Sequence, residues 1–124
     1  MKLLSIAIFG VAGVLTRHFI DSKFSDSSTT VPLTTFWINV LGCMFAGSLA
    51  YFLLNRGATV LTTGLLVGFC GGLTTFSGYT LQTLNLQQNG QLLKAFAYVT
   101  LSPIAGLIFA YLSFHLTAFL TSQQ

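Results

Sequence analysis

Residues 68–79 read Gly68-Phe69-Cys70-Gly71-Gly72-Leu73-Thr74-Thr75-Phe76-Ser77-Gly78-Tyr79, at the centre of an uncharged run that extends from 57 to 93. That run exceeds the roughly 20 apolar residues that carry a helix across a bilayer. Gly68, Gly71, Gly72, Thr74 and Thr75 are poor helix formers, each glycine costing up to about 1 kcal/mol against alanine. The segment therefore predicts a transmembrane helix broken at mid-span. Such a break survives at membrane depth only where protein or a water-filled cavity buries it. It exposes carbonyls and half-helix ends that can coordinate ions. The bland alternative is ordinary glycine-rich helix packing.

Outward from this stretch, the whole chain has the composition of a membrane protein. Of 124 residues, 53% are hydrophobic and 6% charged, where a soluble domain carries roughly 25% charged residues. A soluble globular domain is excluded, and a metal-dependent hydrolase or nucleic-acid binder is disfavoured. The net charge of +3 comes from Lys2, Arg17, Lys23, Arg56 and Lys94 against Asp21 and Asp26. These cations are scattered and form no patch of the kind that binds phosphate backbones. Uncharged runs at 27–55, 57–93 and 95–124 are continuous in Leu, Phe, Val and Ala rather than alternating, which favours helices over a barrel. The expected architecture is all-α and integral to the membrane, one domain over 1–124. Its four transmembrane helices are placed at about 3–20, 32–54, 59–87 and 92–120. Lys2 followed by an apolar core is also the format of a signal peptide. No small-residue cleavage site leads into a soluble remainder, so this segment is read as a span.

The links are short. Residues 21–32 are polar and end in Pro32, which suits a first helical turn. Asn55-Arg56-Gly57 and Gln87-Gln88-Asn89-Gly90 read as turns, and no internal repeat is present. With four spans, Lys2 and Arg56 share one side, and Arg17, Lys23 and Lys94 share the other. Two against three is almost no positive-inside bias. That balance suits a chain oriented by a partner or weakly oriented, and equally one inserted both ways as an antiparallel dimer.

Polar residues within the spans are the candidates for function, although such residues often only join helices, at about 0.6 kcal/mol each. Thr35 and Asn39 share a face of helix 2, where Gly42/Ala46 and Cys43/Gly47 form small-xxx-small pairs. Tyr98 and Ser102 share a face of helix 4 just before Pro103, which frees a backbone carbonyl and permits a kink. Phe76 and Tyr79 lie three apart after the break, and aromatic ring edges carry positive charge that can face an anion. Cys43 and Cys70 fall inside spans without neighbours at metal-ligand spacing, and read as small hydrophobes. No nucleophile, base and acid converge in any span, so the chain is not expected to be an enzyme. A proton-coupled multidrug-type exporter needs an intramembrane carboxylate. The two acids are placed in the first loop, which counts against that reading. A non-transporting membrane scaffold is left open.

The run Gly68–Ser77 resembles the signature of the Fluc (CrcB-type) fluoride channels. The similarity extends to Gly10-x-x-Gly13-x-x-x-Arg17 and to Thr35-x-x-x-Asn39-x-x-Gly42, and covers nearly the whole chain. The resemblance implies an antiparallel dual-topology dimer in the cell membrane, passively exporting fluoride and lowering fluoride toxicity. It implies a structural Na⁺ at the dimer interface, held by backbone carbonyls of Gly71 and Thr74 from both chains. It assigns Asn39 as a donor to fluoride, Phe76 as a ring-edge contact with Tyr79 in the second aromatic position, and Thr35, Ser77, Tyr98 and Ser102 as a polar track. Arg17 would sit at a vestibule. The chain departs from the pattern at Tyr79 (usually Phe), Gly78 (usually Thr), Gln82 (commonly acidic) and Gly106 (often Ser). Some members work as paired paralogues with one degenerate pore, so the working unit is either a homodimer or one half of such a pair.

Overall fold

The structure, a computed structural model, describes residues 1–24 and 31–123. Its elements are α1 (Lys2–Phe24), α2 (Leu33–Arg56), α3 (Val60–Thr63), a π-helical stretch (Gly64–Cys70), α4 (Gly71–Leu73), α5 (Phe76–Gln88) and α6 (Leu92–Ser122). The π-helical stretch joins α3 to α4 without interruption, so 60–73 forms one rod. Four segments, Lys2–Phe24, Leu33–Arg56, Val60–Gln88 and Leu92–Ser122, are long and apolar enough to cross a membrane. Leu3, Leu93, Leu107 and many other large apolar side chains are exposed. In water that surface would aggregate; against lipid tails it is the expected exterior.

Helix α1 runs on through Phe24, four residues past its expected end. This moves Asp21 out of the first loop and into the last turns of α1, one turn after Arg17. Continuous helical backbone bonding carries the polar residues 21–23 at the helix end, where they can reach the interface. Asp26, and residues 25–30 of the expected link, lie outside the described residues. Pro32 occupies the N-cap position of α2. The two tight turns use glycines with positive φ, Gly57 and Gly90. At the second, Gln91 N–H bonds Leu86 C=O and Gly90 N–H bonds Gln87 C=O, the paired bonding of a Schellman motif, which satisfies the last carbonyls of α5.

Helix α2 packs most extensively on α6, α1 packs along the 60–73 rod, and α5 packs on α6. Small residues set the first two of these approaches. A Cβ added at Gly13 would collide with the backbone of Phe69 and Leu73, and one at Gly47 with the Ala110 carbonyl. Without a hydrophobic force between helices in lipid, such close backbone packing is the main source of association. The π winding of Gly64–Cys70 was not legible in the sequence, where glycine only marked a weak helix. A buried cluster of Tyr79, Leu86, Ala95 and Tyr98, flanked by Val31 and Phe36, fastens α5 to α6 and to the start of α2.

Candidate functional site

Between α4 and α5 the backbone leaves the helix for two residues. Thr74 has φ −79°, ψ 152° and Thr75 has φ −141°, ψ 113°. Three side chains make this break stable. Asn39 of α2 forms a reciprocal pair with the extended residue: Thr75 N–H donates to Asn39 Oδ1 at 2.8 Å, and Asn39 Nδ2 donates to the Thr75 carbonyl at 3.3 Å. Thr75 Oγ1 accepts from Gly78 N–H at 3.0 Å and so caps α5. Thr74 Oγ1 donates back to the Cys70 carbonyl at 2.9 Å.

The arrangement has a direct consequence for carbonyls. In a continuous helix the Gly71 carbonyl would accept from Thr75 N–H, and the Thr74 carbonyl from Gly78 N–H. Asn39 and the Thr75 hydroxyl take those two donors instead. The Phe76 and Ser77 N–H groups, in the first turn of α5, likewise no longer reach Gly72 and Leu73, so the carbonyls of 71–74, those of Gly71 and Thr74 among them, lose their helical partners at the break. The sequence marked the break by its glycines and threonines. It did not reveal that Asn39, 36 positions earlier, holds it.

Two clefts meet at Thr75. One, of about 450 Å³, is lined by Asn39, Thr74, Thr75, Phe76, Tyr79 and Ser102, with Pro103 and Gly106 on α6, and no lining residue is charged. The other, of about 340 Å³, is lined by Arg17, His18, Asp21, Thr35, Thr75 and Gln82 among others. The expected site residues thus divide. Asn39, Thr74, Phe76, Tyr79 and Ser102 come together on the first cleft, Arg17 and Thr35 on the second. Ser77 is exposed, with its hydroxyl 3.4 Å from that of Thr75. Gly71 is exposed on the rod beside the break.

Within the first cleft, Phe76 is 81% exposed whereas Tyr79 is 8% exposed, with ring centroids 5.6 Å apart. The Ser102 Oγ is buried and has no hydrogen-bond partner among the described residues, an uncommon state that calls for a ligand or a functional reason. Asn39 Nδ2 carries two hydrogens, and only one goes to Thr75.

Behind the clefts runs a chain of side-chain hydrogen bonds. Tyr98 Oη donates to Gln82 Oε1 at 2.9 Å, and Gln82 Nε2 donates to Thr35 Oγ1 at 2.8 Å. Thr35 and Tyr98 are buried, at 2% and 4% exposure. Gln82 thus links α2, α5 and α6. An amide suits this place because it accepts from one neighbour while donating to the other, which an ionised carboxylate cannot do. Sequence reasoning noted Gln82 only as a departure. Its partners at 35 and 98 were both among the candidate residues, but 47 and 16 positions away.

A bundle of four membrane-spanning segments, with its polar chemistry gathered around an interrupted third span, is a small multi-pass membrane protein. Residues 4–114 match the family described as CrcB-like protein, Camphor Resistance (CrcB), and the chain belongs to that family. It is 36% identical over 118 residues to the Fluoride-specific ion channel FluC 2 of Rhodococcus jostii (strain RHA1), covering 95% of this chain and all of the relative. The Fluoride-specific ion channel FluC of Pseudomonas fluorescens (strain SBW25) is 36% identical over 118 residues, 93% of this chain and 95% of the relative. That of Geotalea uraniireducens (strain Rf4) is 38% identical over 113 residues, 88% and 90%.

Proposed function

We propose that the chain is a subunit of a passive, fluoride-selective channel in the cell membrane, which exports cytoplasmic fluoride and lowers its toxicity. The observation that carries this reading is the uncharged cleft on which Asn39, Phe76, Tyr79 and Ser102 converge. It offers an amide hydrogen, an unpartnered serine hydroxyl and aromatic ring edges. Fluoride is small and firmly hydrated, so a path must replace its water with good donors and still let it go. A fixed cation deep in the path would hold the ion too long. Arg17 instead lines the neighbouring cleft, as a vestibule cation that favours anion entry. The match to relatives named for fluoride agrees with this chemistry.

The driving force needs no pump. Hydrogen fluoride crosses membranes as a neutral acid and is trapped as the anion inside. An inside-negative potential of about 100 mV is worth about 2.3 kcal/mol per charge. At about 1.4 kcal/mol per tenfold, it lowers internal fluoride roughly forty-fold. This is transport without a covalent step, and the chain is not an enzyme.

The functional unit is proposed as an antiparallel dimer with two pores, with Na⁺ at its centre. The carbonyls of Gly71 and Thr74 fit that ion as hard oxygen donors whose helical partners have been diverted. Room for a second copy at this face supports that reading: beyond its own helix backbone, a Cβ added at Gly71 would meet nothing within 4 Å among the described residues. That face of the rod is open. Bound at that point, Na⁺ would supply positive charge joining the two broken helices.

The test is efflux from proteoliposomes followed with a fluoride electrode, with chloride as control. Fluoride efflux well above the chloride rate is the expected result. No flux alone but recovery with a paralogue would assign the chain to a paired heterodimer with one degenerate pore. No flux in either case would overturn the channel reading in favour of a scaffold or a different exporter.

A further inference from the structure

Pro103 lies inside α6. It has no N–H, and its ring crowds the carbonyl four residues earlier. That carbonyl belongs to Val99, and in a bilayer an unpaired carbonyl costs several kcal/mol. The Tyr79 hydroxyl of α5 donates to the Val99 carbonyl at 2.7 Å. A tyrosine on one helix therefore supplies the hydrogen that a proline has removed from another.

The same tyrosine faces the uncharged cleft. Its ring lines that cleft together with Phe76, Ser102 and Pro103, and lies 5.6 Å from Phe76 and 5.5 Å from Tyr98, centroid to centroid. A phenol has one hydrogen to give, and here Val99 takes it. What remains at the tip is oxygen lone pairs, which repel an anion. The ring edge is the only part of Tyr79 that suits one.

We propose that Tyr79 is a positioning residue: its hydroxyl locks α5 to the carbonyl released by Pro103, fixing the aromatic wall of the cleft opposite Ser102, and it does not donate to the transported anion. The reading rests on the fluoride pathway proposed above. The lock and the proline form one device, and each has its full effect only while the other is present.

A double-mutant cycle with Tyr79→Phe and Pro103→Ala tests it, in proteoliposomes. Val99-Thr100 is the only Val-Thr step in the chain. Carbonyl-¹³C valine with ¹⁵N threonine therefore isolates the Val99 carbonyl in a solid-state NMR spectrum. Tyr79→Phe alone is expected to move that carbonyl resonance upfield, as a lost hydrogen bond does. It is also expected to lower fluoride flux roughly three- to tenfold, the range set by one hydrogen bond. In the Pro103→Ala background, residue 103 regains an N–H for Val99, and Tyr79→Phe is expected to change flux by less than about twofold. If Pro103→Ala itself silences transport, the thermal midpoint in detergent is read through the same cycle and must show the same non-additivity. An unmoved Val99 resonance overturns the lock, as does an equal effect of Tyr79→Phe in both backgrounds. Absence of any fluoride flux from the unmodified protein overturns the channel reading, while the Val99 resonance still decides the lock.

Discussion

The two halves of the third span are held in opposite ways. The rod 60–73 lies against α1 mainly by close backbone approach, with one side-chain hydrogen bond, from Ser5 Oγ to the Val60 carbonyl, at its start. Gly68 sits on the Ile6 carbonyl, Gly72 on the Gly10 carbonyl, and Gly13 of α1 on Phe69 and Leu73. Beyond the break, α5 is tied by side-chain hydrogen bonds. Asn39 holds Thr75, Gln82 bridges Thr35 and Tyr98, and Tyr79 reaches Val99. The first half is steric, and at Gly64, Gly68 and Gly72 it has no room for an added Cβ. The second is polar, and each tie can be cut singly. In lipid both are sound, because close packing and satisfied polar groups are what hold helices together there. The difference separates a half fixed by shape from one fixed by hydrogen bonds, and most of the latter reach from the break and α5 to α2 and α6.

Substitutions can break this contrast, and the largest effect is expected in the glycine seam. Gly13→Leu drives a side chain into the Phe69 and Leu73 backbone. Overpacking of this kind costs about 1–3 kcal/mol, and more where backbone must move. The variant should fail to give a monodisperse species in detergent chromatography. A folded Gly13→Leu protein would show that the seam can open.

Next comes the clamp at the break. Asn39→Ala removes both bonds to Thr75, leaving a part-buried N–H and carbonyl unpaired at about 1–3 kcal/mol. Fluoride flux is expected to fall about tenfold or more, with a monodisperse species retained in detergent chromatography. A variant that folds and conducts normally would show that neither the clamp nor the amide donor matters.

The smallest effects are expected at Gln82. Gln82→Leu strips both Thr35 and Tyr98 of their partner and should lower the thermal midpoint by a few degrees, for about 1 kcal/mol. Gln82→Glu keeps an acceptor for Tyr98, and the Thr35 hydroxyl can turn to donate. Its effect is expected to be less than half that of Gln82→Leu. Equal losses in the two variants would mean that the amide donor itself is required.

Much of the fold was legible in the residues. Charge placement marked the spans, and Gly57 and Gly90 marked the turns at which the chain reverses. Thr74 and Thr75, after two glycines, marked where a helix would falter. The end of α1 was misjudged because Asp21 and Lys23 look like loop residues, yet a helix end at an interface accepts charge. The candidate residues were chosen by type and spacing on single helices. That method finds Thr35 with Asn39, or Tyr98 with Ser102, since they share a face. It cannot find Asn39 with Thr75, Gln82 with Thr35, or Tyr79 with Val99, because those partners lie on different helices.

The sequence by itself determined that this protein lives in lipid, that it crosses four times, and that its third span weakens between Leu73 and Phe76. Those properties follow from burial of apolar length and from local backbone preference, both carried by neighbouring residues. Only the tertiary structure decided which side chains face a cleft and which are already partnered. Among the described residues it left the Ser102 hydroxyl unpaired and committed that of Tyr79 to Val99. A hydrogen bond is set by distances between helices, and those arise only once the glycine seams have fixed how closely the helices pack.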